Sequence, residues 1–311
     1  MKKIIVTTTI NAPTEAIRKF DAMPDWELVV VGDKKTPKYE LERGTFLPWT
    51  YVGEQYAALV ELIGYNSVRL GRMVAFIEGY KRGADILASI DDDCIPMENW
   101  GKEIYVGREI SAKEYSIYKS SICFDPHISS WSEKQPPHRG LPLEEHSSSY
   151  QIGKTSIVPL VQENLCDGEP DVDALHRLVI DYEEWCDWLD EPYFCNSFSP
   201  INTQNTFIHR SALKDFYANI PFIGRADDIW AGYIFQWLHP RSTVYCPPTA
   251  KHAQERTIQS IVDDLEDEIF MYRNTYKFLK TIKTVGLEAA EMVFLPQKAI
   301  QAIEIYRSYF L

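Results

Sequence analysis

A chain of 311 residues with 45% hydrophobic and 13% aromatic content carries enough apolar material for a sizeable core, in one large domain or two modest ones. Its 32 Lys and Arg stand against 45 Asp and Glu, a formal charge of -13, which excludes a binder of the nucleic-acid backbone, whose affinity rests on cationic side chains. No stretch approaches the roughly 20 apolar residues of a membrane span, and the opening MKKIIVTTTI turns to threonines too soon for a secretory leader. A cytoplasmic protein with no membrane span is the expectation. The six cysteines (Cys94, Cys123, Cys166, Cys186, Cys195, Cys246) include no C-x-x-C pair, and in a chain this long they read as reduced structural thiols.

In chain order, IIVTTTI (4 to 10) reads as a strand, Asn11-Ala12-Pro13 as the entry to a helix, and ELVVVGD (27 to 33) as a second strand. Two helical stretches follow a Pro-containing loop. The second, from Asn66 to about Arg82, puts Leu70, Met73, Val74 and Ile77 on one face, with Arg69 and Arg72 beside them. DILASIDDD (85 to 93) reads as a buried strand running into three carboxylates. A strand is expected at 115 to 124, then a long Pro, His and Ser-rich loop over 134 to 149, of a length that is usually functional or mobile. NTFIHRSALKDFY suggests a strand handing over to a helix, RADDIWAGYIFQWL a helix with Asp227 and Asp228 in its first turn, and STVYC (242 to 246) a further strand. From Ile258 to Tyr276 apolar residues recur at helical spacing against the acidic run DDLEDE, the pattern of a packed helix with a solvated face. The alternation of strand and helix predicts an α/β fold with a mainly parallel sheet, residues 1 to 256, followed by a C-terminal helical extension, 257 to 311, packed on the same domain.

The chemistry centres on IDDDCIP. Three consecutive carboxylates each raise the cost of ionising the next, so either they form an acidic turn capping the next helix or a hard cation offsets them. Mg²⁺ or Mn²⁺ takes oxygen ligands and bridges carboxylate to phosphate. In an extended strand Asp91 and Asp93 face one cleft and Asp92 the other side, at the carboxyl end of a strand, where open α/β sheets bind ligands. There is no G-x-x-x-x-G-K-[ST] and no G-x-G-x-x-G after the first strand, so P-loop and dinucleotide readings lose their anchor. A dehalogenase-type phosphatase also uses a strand-end aspartate pair, but on its first strand, which here ends in Thr7-Thr8-Thr9-Ile10-Asn11.

Thr8 and Asn11 offer a hydroxyl and an amide to a base or ribose, and Asp33 can accept from a nucleobase or ribose, or simply shape a turn. Arg69 and Arg72 can grip phosphate through planar forks, or form surface ion pairs. His252 is a candidate nitrogen ligand to the metal, or a structural histidine. Asp227 and Asp228 either serve the helix dipole or orient sugar hydroxyls or a reacting group.

Taken together, SIDDDC, IGRADDIWAG and HRGLP, with EPDVDA (169 to 174) and NTFIHR (205 to 210) in the same order, resemble the reversibly glycosylated polypeptide family, the plant-type UDP-arabinopyranose mutases of GT-A-type glycosyltransferase fold. The resemblance runs from about residue 3 to 256. It implies a UDP-sugar substrate, Asp91 and Asp93 on Mn²⁺ (or Mg²⁺) with His252 as a third ligand, Asp92 near the ribose, Asp227 and Asp228 facing the sugar, and Arg139 where that family carries its glycosylated arginine. A protonated guanidinium is a poor nucleophile, and read from its own chemistry Arg139 is a diphosphate or sugar ligand on a mobile loop. Seven residues on, the family's second arginine is replaced by His146, which cannot reproduce a bidentate phosphate contact. The resulting expectation is a metal-dependent UDP-sugar mutase. Its alternatives are a glycosyltransferase with a separate acceptor and a non-catalytic nucleotide-sugar-binding partner in a homo- or hetero-oligomer.

Overall fold

The structure is a computed structural model and describes residues 1–118, 121–129, 136–145, 150–180, 191–254 and 256–310. His146 and Cys186 lie outside the described residues. The first strand β1 (Lys3–Thr9) is followed by α1 (Glu15–Asp21), β2 (Glu27–Gly32), β3 (Thr45–Leu47), α2 (Trp49–Gln55), α3 (Ala57–Ile63), α4 (Val68–Lys81), β4 (Ile86–Ile90) and β5 (Cys94–Pro96). Next come β6 (Ile110–Ile117), β7 (Tyr150–Ile157), β8 (Val161–Gly168), α5 (Ala174–Val179), β9 (Tyr193–Cys195), β10 (Asn205–His209), α6 (Asp227–Leu238) and β11 (Thr243–His252). The helices α7 (Ile258–Thr284), α8 (Leu287–Phe294) and α9 (Gln297–Arg307) close the chain.

The strands form one mixed sheet in the order β3-β2-β1-β4-β10-β8-β11-β9-β6-β7, with β5 beside β11. β1, β2, β3 and β4 are mutually parallel, β10 runs antiparallel between β4 and β8, and β8 and β11 are parallel. The carboxyl ends of β1, β4, β8 and β11 and the start of β10 therefore share one edge. Both faces of β1 are covered, which explains a strand without polar alternation. Ile4 and Val6 pack with α4, α6 and the C-terminal helices, whereas Ile5 packs with Ala16, Ile17 and Phe20 of α1.

The C-terminal helices share the larger apolar cluster through Met271, Phe278, Ile282, Ala302 and Tyr306. Trp230 of α6 stacks on Phe278 at 4.0 Å, and the Tyr306 hydroxyl donates to the Leu213 carbonyl at 2.6 Å. Thr257 and Ser260 form a reciprocal cap at the start of α7. Among the described residues, no helix is long and apolar enough to cross a membrane.

Several expected elements shift. The strand ahead of the carboxylates stops at Ile90, because the amide of Cys94 turns back to the carbonyl of Asp91 (3.2 Å). The strand expected at 115 to 124 is β6, ending at Ile117. After β10 only a short 3₁₀ turn, Arg210–Ala212, replaces the expected helix. β11 continues through Pro247 and Pro248 to His252, which pairs with Cys94 of β5 and so belongs to the strand.

Candidate active site

The shared sheet edge holds a polar cleft of ≈ 240 Å³, lined among others by Thr8, Arg72, Asp91, Asp92, Asp93, Arg139, Asp171, Asp228, His252 and Arg256. The three carboxylates sit in the turn between β4 and β5, so they do not alternate as an extended strand would, yet all three line the cleft. Each is held differently. Arg72 reaches from α4 beneath β4, donating to Ser89 Oγ (2.9 Å), to the Ile90 carbonyl (2.7 Å) and to the carboxylate of Asp91. Asp92 accepts from Thr9 and from Asn11 Nδ2 (3.1 Å), while its carbonyl accepts from Thr14, the N-cap of α1, at 2.5 Å. Burial raises the pKa of Asp91 and Asp92 above the ordinary carboxylate value against these partners, and in both cases the neighbouring carboxylates add to the rise.

Asp93 behaves oppositely. Burial raises it, but the His252 contact outweighs burial and leaves it below its ordinary value. His252 Nδ1 lies 2.8 Å from the carbonyl of Glu169, and a carbonyl only accepts, so Nδ1 carries the hydrogen. Nε2 of the same ring faces Asp93 Oδ2, 3.4 Å away. Across that separation a proton on Nε2 or a cation can join the two atoms. Asp93 Oδ1 is also buried without a hydrogen-bond partner.

These donors fit a divalent cation. Among the described residues no group of three or more His, Cys, Asp or Glu side chains is placed to hold a metal ion, so Asp91, Asp93 and His252 do not form a three-ligand set. An open site of one or two protein ligands, completed by water and phosphate, is the mode in which Mg²⁺ usually binds. Arg72 and Arg256 both line the cleft; Arg72 Nε is buried without a hydrogen-bond partner, while Arg256 Nε pairs with Glu169 at 3.4 Å.

Arg139 overturns the mobile-loop expectation. Residues 136–142 are buried, and Gly140, at φ +92°, passes so close to α6 that a Cβ would come within 2.3 Å of Ile229. All five guanidinium hydrogens are used. Nε and Nη2 donate to Asp171 (2.7 and 3.0 Å), Nη1 and Nη2 to Asp228 (3.0 Å each), and Nη1 also to the Arg225 carbonyl (2.7 Å). Burial lowers the guanidinium's pKa, but the two carboxylates outweigh it and hold the charge firmly. In return Arg139 keeps Asp171 well below the carboxylate range despite burial, whereas burial and the neighbouring Asp227 push Asp228 up.

Beneath this cluster Asn202 bridges Asp171 (3.0 Å) and His138 (3.3 Å), and His138 faces Glu163 at 3.4 Å. Burial disfavours charge on both, yet Glu163 holds His138 up to about 9, so the pair shares a proton through neutral pH.

The remaining candidates divide. Thr8 lines the cleft and donates to the Val31 carbonyl (3.0 Å). Asn11 acts on Asp92. Arg69 is not a cleft residue, because its Nε pairs with Asp227 (2.7 Å) and its Nη2 donates to the Gly224 carbonyl (2.9 Å), joining α4 to the start of α6 behind the cleft wall. Asp33 lies in a separate small hollow with Thr8, Trp49 and Tyr65, where its carboxylate accepts from the amides of Lys35 (2.6 Å) and Thr36 (3.2 Å).

No protein-family model matches the chain. Over 328 aligned residues it is 23% identical to the probable glycosyltransferase STELLO2 of Arabidopsis thaliana, a similarity that covers 94% of this chain and 42% of that protein. The chain thus spans less than half the length of that relative. A crystal structure of A197 from STIV aligns over 82% of this chain and 87% of its own at 14% identity, with a TM-score of 0.33, too loose a likeness to bear on function.

Several cleft residues carried no individual signal in the sequence. Asp171 lay inside EPDVDA, but nothing there separated it from Asp173, which caps α5 through the amide of His176. Arg225 is tied to Glu268 (2.8 Å) and Asp264 (3.1 Å) of α7, and Arg256 to the same Asp264 (2.5 Å). The Arg225 pairs join residues about forty apart in the chain, and no periodicity announces them. The five described cysteines are buried, and no disulfide joins them.

Proposed function

We propose that the chain transfers a glycosyl group from a nucleotide sugar, a UDP-sugar by the resemblance of its motifs, to a separate acceptor with the help of Mn²⁺ or Mg²⁺. The observation that carries the proposal is the Asp93–His252 pair, which brings an imidazole nitrogen and an unpartnered carboxylate oxygen together beside a cleft flanked by Arg72 and Arg256. The similarity to a probable glycosyltransferase supports the same reading at the level of sugar transfer. When bound, the cation would neutralise the diphosphate and stabilise its departure. Asp93 and His252 Nε2 would hold it, with Asp91 adding charge nearby. Asp92, fixed by Thr9 and Asn11, would face the nucleoside side, and Arg72 and Arg256 the phosphate oxygens. Asp228 borders the cleft from α6, where its raised pKa suits a group that exchanges a proton with an acceptor hydroxyl.

The mutase reading needs Arg139 to take up the sugar. A guanidinium whose five hydrogens are engaged and whose charge is held by two buried carboxylates has no free nucleophilic nitrogen, so transfer to a separate acceptor is favoured here. The test incubates the chain with Mn²⁺ and a panel of UDP-sugars, with and without oligosaccharide acceptors, and separates the products. Acceptor-dependent release of UDP supports the proposal. A furanose nucleotide formed with no net UDP, or no product with any donor, counts against it.

A further inference from the structure

We propose that the chain has a second ligand site, remote from the cleft, for a small molecule with a flat apolar body and one anionic group. The site is a cavity of ≈ 330 Å³ between the residues that follow β9, the end of α6, the start of β11 and the end of α7. Thr243 opens β11 at this cavity and His252 closes the strand at the cleft. Nine residues at about 3.3 Å each separate the two sites by roughly 30 Å.

Three independent features define what the cavity takes. Its charge runs against the molecule: in a chain of net charge -13, the lining contains Arg241 and Lys283 and no carboxylate. Lys283 forms no ion pair among the described residues. Its ammonium donates to Ser197 Oγ at 3.0 Å and sits 5.7 Å over the ring of Phe198. Arg241 does have a partner, but an exposed one, Glu114 at 3.3 Å, and exposed pairs of this kind contribute little.

The walls are aromatic. Trp237 and Phe198 lie nearly parallel, 28° apart with centroids 6.4 Å distant, and Trp237 remains 39% exposed although it is the largest side-chain type. An open indole face beside an unpaired ammonium suits a flat ring bearing a carboxylate or phosphate. The hydroxyl of Thr243, whose residue is 6% exposed, is buried with no hydrogen-bond partner and lines the cavity, leaving one donor and acceptor for the ligand. The wall is already formed, because both ends of the Gln236 amide are fixed on the backbone of Ser199, at 2.9 and 2.7 Å.

The test titrates the full chain with 4-fluorobenzoate and follows ¹⁹F line width and shift, using neutral 4-fluorobenzyl alcohol and 4-fluorophenyl phosphate in parallel. Saturable binding of the two anions is expected, weakened about tenfold by Lys283→Gln, in line with loss of a charge-assisted contact, and also weakened by Trp237→Ala and Thr243→Val. Saturating UDP with Mn²⁺ should leave it unchanged. Lys283→Gln removes no core packing, and its thermal midpoint checks that it folds. Absence of saturable binding overturns the proposal. So does equal binding of the neutral alcohol, undiminished binding in folded Lys283→Gln, or displacement by UDP and Mn²⁺, which would place the anions in the cleft.

Discussion

Replacing Arg139 with alanine removes a guanidinium that is 7% exposed and leaves Asp171 and Asp228 facing each other across the space it filled. Summing its contacts at about 1.5–3 kcal/mol for each charged hydrogen bond would give a loss comparable to the whole stability of a domain, roughly 5–15 kcal/mol. Such a sum ignores the escape open to the carboxylates. Deprived of Arg139, they neutralise by binding protons, at about 1.4 kcal/mol per unit of pKa shift. The loss should therefore be near the about 3–5 kcal/mol measured for buried pairs broken on one side.

The sign with pH follows. In the variant the folded state binds protons more tightly than the unfolded chain, so its stability rises as pH falls, and the gap to wild type should narrow between pH 7.5 and 5.5. Asp171→Asn in the same background should recover at least about 1 kcal/mol, because it removes one of the two uncompensated charges. Urea unfolding followed by far-ultraviolet circular dichroism measures all three. An Arg139→Ala protein within about 1 kcal/mol of wild type at pH 7.5, with no pH-dependent narrowing, would refute the assignment of Arg139 to the framework and return it to the chemistry of the sugar.

His138→Gln should lose a stabilisation that is full below the ordinary histidine value of 6.5 and disappears as pH rises through about 9, so wild-type and variant thermal midpoints should converge above that pH. Divergence that grows toward pH 10 would contradict it. Trp230→Ala removes a fully buried indole stacked on Phe278 and should cost about 3–5 kcal/mol in urea unfolding; a smaller loss would mean that α7 does not depend on this stack. Gly140→Ala places a methyl group into Ile229 at a positive φ and should cost about 1–3 kcal/mol in urea unfolding. Unchanged stability would show that the segment yields freely.

What was legible in the sequence was whatever local periodicity encodes. β1, α1, β2, α4, α6 and α7 follow from apolar spacing, and the acidic trio was visible because three consecutive carboxylates after an apolar run are rare without a purpose. Each depended on neighbours in the chain. The errors came where distant contacts decide. β11 runs on through two prolines because β8 on one side and β5 on the other pair with its far half, and no propensity would carry a strand through Pro247 and Pro248. The trio turns instead of extending because Thr14, Thr9 and Asn11 capture Asp92 from β1 and α1. Arg139 looked like a ligand on a loop because neither Asp171 nor Asp228 lies near it in sequence. The sequence leaves Arg69 open between a phosphate contact and an ion pair for the same reason, its partner Asp227 being on another helix.

The account rests on a cation held between Asp93 and His252 and joined to a diphosphate. Calorimetric titration of UDP into the chain with and without Mn²⁺, on wild type and Asp93→Asn, tests this directly. Binding that tightens about tenfold or more with Mn²⁺ in wild type and loses that dependence in Asp93→Asn is the predicted result. UDP binding of equal strength with and without the cation, or a variant that keeps the full Mn²⁺ dependence, would contradict it.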